Sequence, residues 1–227
     1  CHPHLSTDGS IAVVHNGIIE NHEHLRRELT AAGSIFRSET DTEVIPQLIA
    51  HLRRSGLDFM QAVRAAVPRL EGSFAFVVVS TDQPRRIIAV RQGSPLLIGR
   101  GKAYNPAEVN DEHSGEDSGR YKKMGITSSR ELILASDVPA LLPHASQVCY
   151  LADGHIADLS DAGISLTTFA GQVVEPKFER IEITAEAVTK GDFDSFMSKE
   201  IAEQPAVLQR LLDSRLRGNE LVDPDLG

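Results

Sequence analysis

Ile11-Ala12-Val13-Val14-His15-Asn16-Gly17-Ile18-Ile19-Glu20-Asn21 decides how the rest of the chain is read. Its leading apolar run suits a strand buried on both faces. Asn16-Gly17 is a strong two-residue turn signal, because both residues tolerate positive φ. A hairpin would need a second strand next; instead Ile18, Ile19, His22, Leu25, Arg26 and Leu29 follow at helical spacing. The reading is a strand that turns into a helix at Asn16-Gly17, leaving a side-chain amide and a backbone N–H together at a sheet edge. Two donors aimed at one developing negative charge are what an oxyanion hole requires. An isolated Asn-Gly is by default a turn that needs its glycine, so the surrounding residues must decide.

Composition narrows the field. A chain of 227 residues can bury one substantial core and part of a second. It is 41% hydrophobic and 24% charged, as ordinary globular proteins are. No apolar run is long enough to span a bilayer and no secretory pattern opens the chain, so no membrane association is expected. A net charge of −9 without a basic stripe makes nucleic acid and anionic membranes poor partners. Two cysteines, Cys1 and Cys149, are too few for a disulfide framework, and a reducing cytoplasm is the expected compartment. His2, His4, His15, His22 and His24 invite a metal, but His22 and His24 point to different faces of their helix and no Cys-x-x-Cys accompanies them. They are read as structural or surface histidines, with neither metal nor cofactor expected.

In chain order, a helix is expected over about 18–32 with Gly33 as its C-terminal cap. Ile35-Phe36 reads as a short strand. Ser38 to Asp41 makes a second corner before a helix over about 42–54, and Thr40 or Asp41 followed by Glu43 is the pattern of a helix cap. A helix over about 58–69 carries Phe59, Ala62, Val63, Ala66, Val67 and Leu70 on one side. Strands over 73–80, 86–91 and 95–100 have short separations, which favours antiparallel hairpins. The polar stretch 101–129 has no periodicity and reads as a long surface loop. Strands resume over 131–135, and 148–151, 156–159 and 164–169 read as a meander with Asp153-Gly154 as a hairpin turn. Cys149 falls in a strand as a small buried hydrophobe. Helices grouped apart from hairpin strands indicate an α+β fold. The charged stretch 173–192 reads as a linker. Residues 193–227 carry helical patterns, with Pro205 opening a second helix.

Three segments carry a resemblance: Cys1-His2-Pro3-His4, Val13 to Asn21, and Ser38-Glu39-Thr40-Asp41-Thr42-Glu43-Val44. Together with Arg91-Gln92-Gly93-Ser94-Pro95-Leu96, Ala135-Ser136-Asp137 and Phe196 to Pro205, they resemble the glutaminase domain of the glutamine:fructose-6-phosphate aminotransferase family. The Asn-Gly and Thr-Asp elements recur across class II, N-terminal-nucleophile amidotransferases; the segment Phe196 to Pro205 is similar to the fructose-6-phosphate branch in particular. The resemblance implies a four-layer αββα sandwich for residues 1–172, an N-terminally truncated glutaminase domain, and the start of a sugar isomerase domain over 193–227. It implies that Asn16 and Gly17 form the oxyanion hole, and that Asp41, with the Gly17 carbonyl nearby, holds the α-ammonium of L-glutamine.

In that family the nucleophilic cysteine heads a Cys-Gly-Ile-Val-Gly-like strand. Cys1 is followed by His2-Pro3-His4, which matches a segment several dozen residues further along. Cys1 is therefore read as an ordinary residue, and the nucleophile as lying outside these residues. The full-length enzyme would transfer the glutamine amide nitrogen to fructose 6-phosphate, bound in the absent domain, and would work as a homodimer. The alternatives are the purine or asparagine branch of class II amidotransferases, or a catalytically inert glutamine-binding fragment.

Overall fold

The computed structural model describes residues 2–101, 131–161, 163–181, 193–217 and 220–221. The chain divides into two compact units, Cys1–Glu182 and Ile183–Gly227. Strand pairing continues past residue 172: β10 (Val173–Val174) pairs with β9 (Gly163–Thr168) and β11 (Glu179–Arg180) pairs with β7 (Ala145–Tyr150).

The first unit is built on a seven-stranded antiparallel sheet. It comprises β1 (His4–Leu5), β2 (Ile11–Ile19), β3 (Gly72–Ser80), β4 (Arg86–Gln92) and β8 (His155–Ser160), followed by β9 and β10. Helices α1 (His22–Ala31), α2 (Val44–Arg54) and α3 (Phe59–Ala66) cover one face. Strand alternation sends Ile11, Val13, Ile19, Phe74, Phe76, Val78, Ile88 and Val90 into that helical layer. The opposite faces of β3, β4 and β8 carry Ala75, Ala89, Ala157 and Leu159 against a second antiparallel sheet. That sheet runs β11-β7-β5-β6, with β5 at Leu97–Gly101 and β6 at Leu132–Ala135. On its outer side Leu141, from the turn after β6, is fully buried with Leu97, Ala145 and Val148. Helix, sheet, sheet and outer segment follow the α+β layering expected for the chain. No helix among the described residues is long and apolar enough to cross a membrane.

The helix expected over about 58–69 is present as α3. Asp58 caps α3, its carboxylate accepting from Gln61 N–H while the Gln61 side chain accepts from Asp58 N–H. Other expectations are corrected. Strand β2 runs without a break to Ile19, so Asn16-Gly17 is not a turn; the helix waits until His22. Ile35-Phe36 is irregular: Ile35 N–H and C=O bond to the Thr7 and Gln47 side chains, and Arg26 stacks on the Phe36 ring. Strands β4 and β5 form no hairpin, because the chain leaves the first sheet at Gly93 and enters the second. Leu96 and Ile98 then face the inter-sheet core and Leu97 the outer cluster, which explains the unbroken apolar run.

The meander is likewise split, since β7 pairs with β5 while β8 and β9 lie in the first sheet. The polar groups of Asp153-Gly154 serve the crossing: Asp153 Oδ1 accepts from Gly93 N–H at 3.0 Å and Gly154 N–H donates to Arg91 O at 3.0 Å. Arg91 clips both crossings, donating to Ser94 O at 3.0 Å and to Leu151 O.

In the second unit, α4 (Phe196–Arg215) is one continuous helix with Pro205 inside it, not two helices, and a short hairpin of Leu216–Arg217 with Glu220–Leu221 follows. A proline can be carried inside a helix at the cost of one backbone bond. Met197, Ile201, Leu208 and Leu211 of α4 are exposed. The loop expected over 101–129, apart from Gly101 in β5, and Cys1 lie outside the described residues.

Candidate functional site

The β2–β3 ladder fixes which way each backbone group of the opening stretch points. Glu20 N–H donates to Glu71 O at 2.8 Å and Thr81 N–H to Ser10 O at 3.0 Å, just beyond either end of the paired segment. The alternation of an antiparallel ladder then gives the bonds to β3 to Ala12, Val14, Asn16 and Ile18. The N–H groups of Val13, His15, Gly17 and Ile19 face the other edge. Strand β1 covers that edge only as far as His4 opposite Val13. At its far end Ile19 N–H finds a carboxylate, donating to Asp41 Oδ2 at 2.8 Å. Gly17 N–H lies between these two points with no ladder partner.

Gly17 itself is irreplaceable on steric grounds. Its φ is +119°, and a Cβ there would sit 2.0 Å from Ser73 O, 2.7 Å from Ser94 Oγ and 2.9 Å from Phe74 Cα. The glycine thus answers to close approach of β3 within a strand, not to a turn. Asn16 is exposed and projects from the face of the sheet opposite the helices, where its neighbours Val14 and Ile18 are 43% and 64% exposed. The second sheet does not reach over this part of β2, and the Asn16 amide has no partner among the described residues.

Asp41 opens a single 3-10 turn, Asp41–Glu43, that leads into α2. The expected cap is absent: neither Thr40 nor Glu43, which precede the two helical segments, makes a side-chain cap bond. Asp41 Oδ1 accepts from Thr42 N–H at 2.8 Å while Oδ2 reaches back to Ile19 N–H, so this carboxylate is anchored on β2. Glu43, only 2% exposed, folds back to the preceding loop and accepts from Arg37 N–H, Ser38 N–H and Ser38 Oγ. Burial works to raise its pKa, but those hydrogen bonds and the Arg26 charge outweigh it and the carboxyl titrates below its ordinary value. Glu43 therefore holds the corner that presents Asp41.

Asn16, Gly17 and Asp41 are in this way gathered at one end of β2, joined by the Asp41–Ile19 bond. Two residues to which sequence reasoning gave no role in the site, His15 and Thr42, adjoin them in the chain. His15 is 5% exposed and its Nδ1 lies 2.9 Å from Thr42 Oγ1; Thr42 is 4% exposed. Only the pairing of β2 with the Asp41–Glu43 turn reveals this contact, since the two residues are far apart in sequence and neither stands in a ligand-like spacing. Cys149, by contrast, is buried in the inter-sheet core at 2% exposure, and burial pushes its thiol up, so it is inert. A cleft of about 270 Å³ lined by Arg64, Leu70, Phe74, Gln92, Ile156 and Phe169 includes none of the three candidate residues.

The chain is similar to known proteins. A family model described as a glutamine amidotransferase domain matches residues 2–116. The glutamine–fructose-6-phosphate aminotransferase (isomerizing) of Symbiobacterium thermophilum is 45% identical over 95% of this chain and 30% of that protein. Its namesake from Methanothermobacter thermautotrophicus is 40% identical over 93% of the chain and 31% of that protein. The chain thus spans about a third of the length of these relatives. Among solved structures, the glutamine phosphoribosylpyrophosphate amidotransferase of B. subtilis superposes with a TM-score of 0.51 at 21% identity, over 74% of this chain and 31% of that one. The likeness shows a shared fold.

Proposed function

The chain belongs to the glutamine amidotransferase family, and from that premise we propose that it supplies part of the glutaminase half of a glutamine:fructose-6-phosphate aminotransferase. The carrying observation is the edge of β2, where a ladder-free Gly17 N–H lies beside a carboxylate anchored on Ile19 N–H. L-Glutamine binds there with its α-ammonium on Asp41. A thiolate attacks the side-chain carboxamide, the carbonyl π electrons move onto oxygen, and the tetrahedral oxyanion is met by the Gly17 N–H and the Asn16 side-chain N–H₂. Collapse of that intermediate with proton transfer to nitrogen releases ammonia and leaves an acyl-enzyme, which water hydrolyses to glutamate. The buried Cys149 is unfit as the nucleophile.

Ammonia then aminates fructose 6-phosphate to glucosamine 6-phosphate. Support for that acceptor is the name shared by relatives 38–45% identical across the chain; the solved phosphoribosylpyrophosphate amidotransferase reaches only 21%. A domain limit near 172–182, a helical region after 193 leading to a sugar isomerase domain, a homodimeric assembly and a cytoplasmic location belong to the same proposal. The test is Asn16→Ala in the full natural protein. Glutaminase turnover should fall about 10²–10³-fold, the usual loss for one oxyanion donor, with an unchanged thermal midpoint. Turnover equal to wild type would remove Asn16 from the site.

A further inference from the structure

The His15–Thr42 contact lies behind the carboxylate assigned above to the glutamine ammonium, and it contains an unsatisfied atom. His15 Nε2 is buried with no hydrogen-bond partner, while Nδ1 faces Thr42 Oγ1 at 2.9 Å. Thr42 Oγ1 in turn lies 3.4 Å from Asp41 Oδ1, and Thr42 N–H donates to the same oxygen at 2.8 Å. A neutral imidazole has one donor and one acceptor nitrogen. Placing the proton on Nε2 would bury an orphan N–H, whereas placing it on Nδ1 leaves only an orphan lone pair. Orphan donors are the rarer case. With the proton on Nδ1, His15 donates to Thr42 Oγ1, whose own proton has two acceptors in reach, Asp41 Oδ1 at 3.4 Å and His2 Nε2 at 3.5 Å; the charged carboxylate is the stronger of the two.

Burial holds the imidazole pKa below its ordinary value, His2 and His4 lower it further, and Asp41 opposes them. The ring therefore stays neutral and the donor order is kept at physiological pH. From the other side Ile19 N–H fixes Oδ2. The carboxylate is gripped by three donors, Ile19 N–H, Thr42 N–H and the Thr42 hydroxyl.

We propose that His15, acting through the Thr42 hydroxyl, is a positioning residue that aims the Asp41 carboxylate at the α-ammonium of the amide substrate. The inference rests on the proposed reading of Asp41 and goes beyond it, because it assigns a role to two side chains that touch no substrate. A Thr–carboxylate contact aimed by a neutral histidine selects for ligands carrying the ammonium group; it does nothing for the carboxamide end.

The test uses the full natural protein and steady-state glutaminase kinetics, with glutaramate as a competitive inhibitor. Glutaramate keeps the carboxylate and carboxamide of glutamine and lacks its amino group. Thr42→Val should raise KM for glutamine about three- to tenfold, the span of one lost hydrogen bond, and lower kcat by less than that. The inhibition constant of glutaramate should stay at the wild-type value. Thr42→Ser should restore KM, and His15→Leu combined with Thr42→Val should be no worse than Thr42→Val alone, since both act through one hydroxyl. Asp41→Asn supplies the control. If Asp41→Asn leaves KM for glutamine unchanged, the reading of the site fails and the inference with it. If Asp41→Asn raises KM while Thr42→Val does not, the inference alone is overturned. A parallel loss of glutamine and glutaramate binding in Thr42→Val would mark a merely structural role and would also overturn it.

Discussion

Gly17→Ala is the substitution whose cost can be worked most directly from the structure. The added methyl would stand 2.0 Å from the Ser73 carbonyl oxygen and 2.9 Å from Phe74 Cα. Both are backbone atoms of β3, paired to β2 along nine consecutive positions, so neither can swing aside as a flexible side chain would. Two penalties add. Holding a non-glycine residue at a φ of +119° costs about 1–3 kcal/mol, and overpacking that displaces backbone costs about 1–3 kcal/mol more. The expected destabilisation is about 2–6 kcal/mol, a large share of the 5–15 kcal/mol typical of a domain. At roughly 2–4 °C per kcal/mol for a unit of this size, the thermal midpoint should fall by at least about 4 °C.

Far-ultraviolet circular dichroism or calorimetry on the full natural protein measures it. Gly154→Ala separates the two penalties, because Gly154 also has a positive φ, +74°, but its Cβ would meet nothing within 4 Å. It should lose only the conformational part. Equal shifts for the two variants, or a Gly17→Ala midpoint within a degree of wild type, would refute the close approach of β2 and β3 at this point.

Two further outcomes follow from other contacts. Asp8 accepts from Ser6 Oγ at 2.6 Å, from Ser10 N–H at 3.0 Å and from Ser10 Oγ at 2.8 Å, with the Ser6 bond the largest influence, and its pKa is lowered from 3.8 to about 2. A carboxyl depressed on folding contributes stability that is present above the unfolded value and lost as pH falls through the folded one. Asp8→Asn should therefore flatten the acid side of the stability profile between about pH 4 and 2, read by urea midpoints at several pH values; an unchanged slope would deny the linkage. Arg91→Met strips the donor from the Ser94 and Leu151 carbonyls at the two sheet crossings. An unsatisfied buried acceptor costs about 1–3 kcal/mol, so the urea midpoint should drop with an unchanged m-value, whereas an unmoved midpoint would show that the crossings hold without the clip.

The chain's local chemistry was enough to establish most of its elements. Phe59, Ala62, Val63 and Ala66 announced α3 by their helical spacing, and all four are buried. The segment 44–54 announced α2 by its apolar periodicity. The residues of the candidate site were legible too, Asn16, Gly17 and Asp41 standing in motifs whose family likeness could be read from the sequence. What could not be read is how they are held. Gly17 suits a turn as well as it suits a strand, and only the backbone of β3, 2.0 Å from its missing methyl, makes it part of a strand. Asp41 suits a helix cap, and only the approach of β2 offers it Ile19 N–H instead. The same holds at a larger scale for Gly93 and Asp153, which have turn chemistry that serves hairpins and crossings alike until two sheets stack and Arg91 ties them. Turn and capping signals are satisfied within a few residues, so sequence reveals them. Which distant N–H or carbonyl meets a given side chain depends on pairing register and layer order, and that is decided only when the whole chain packs.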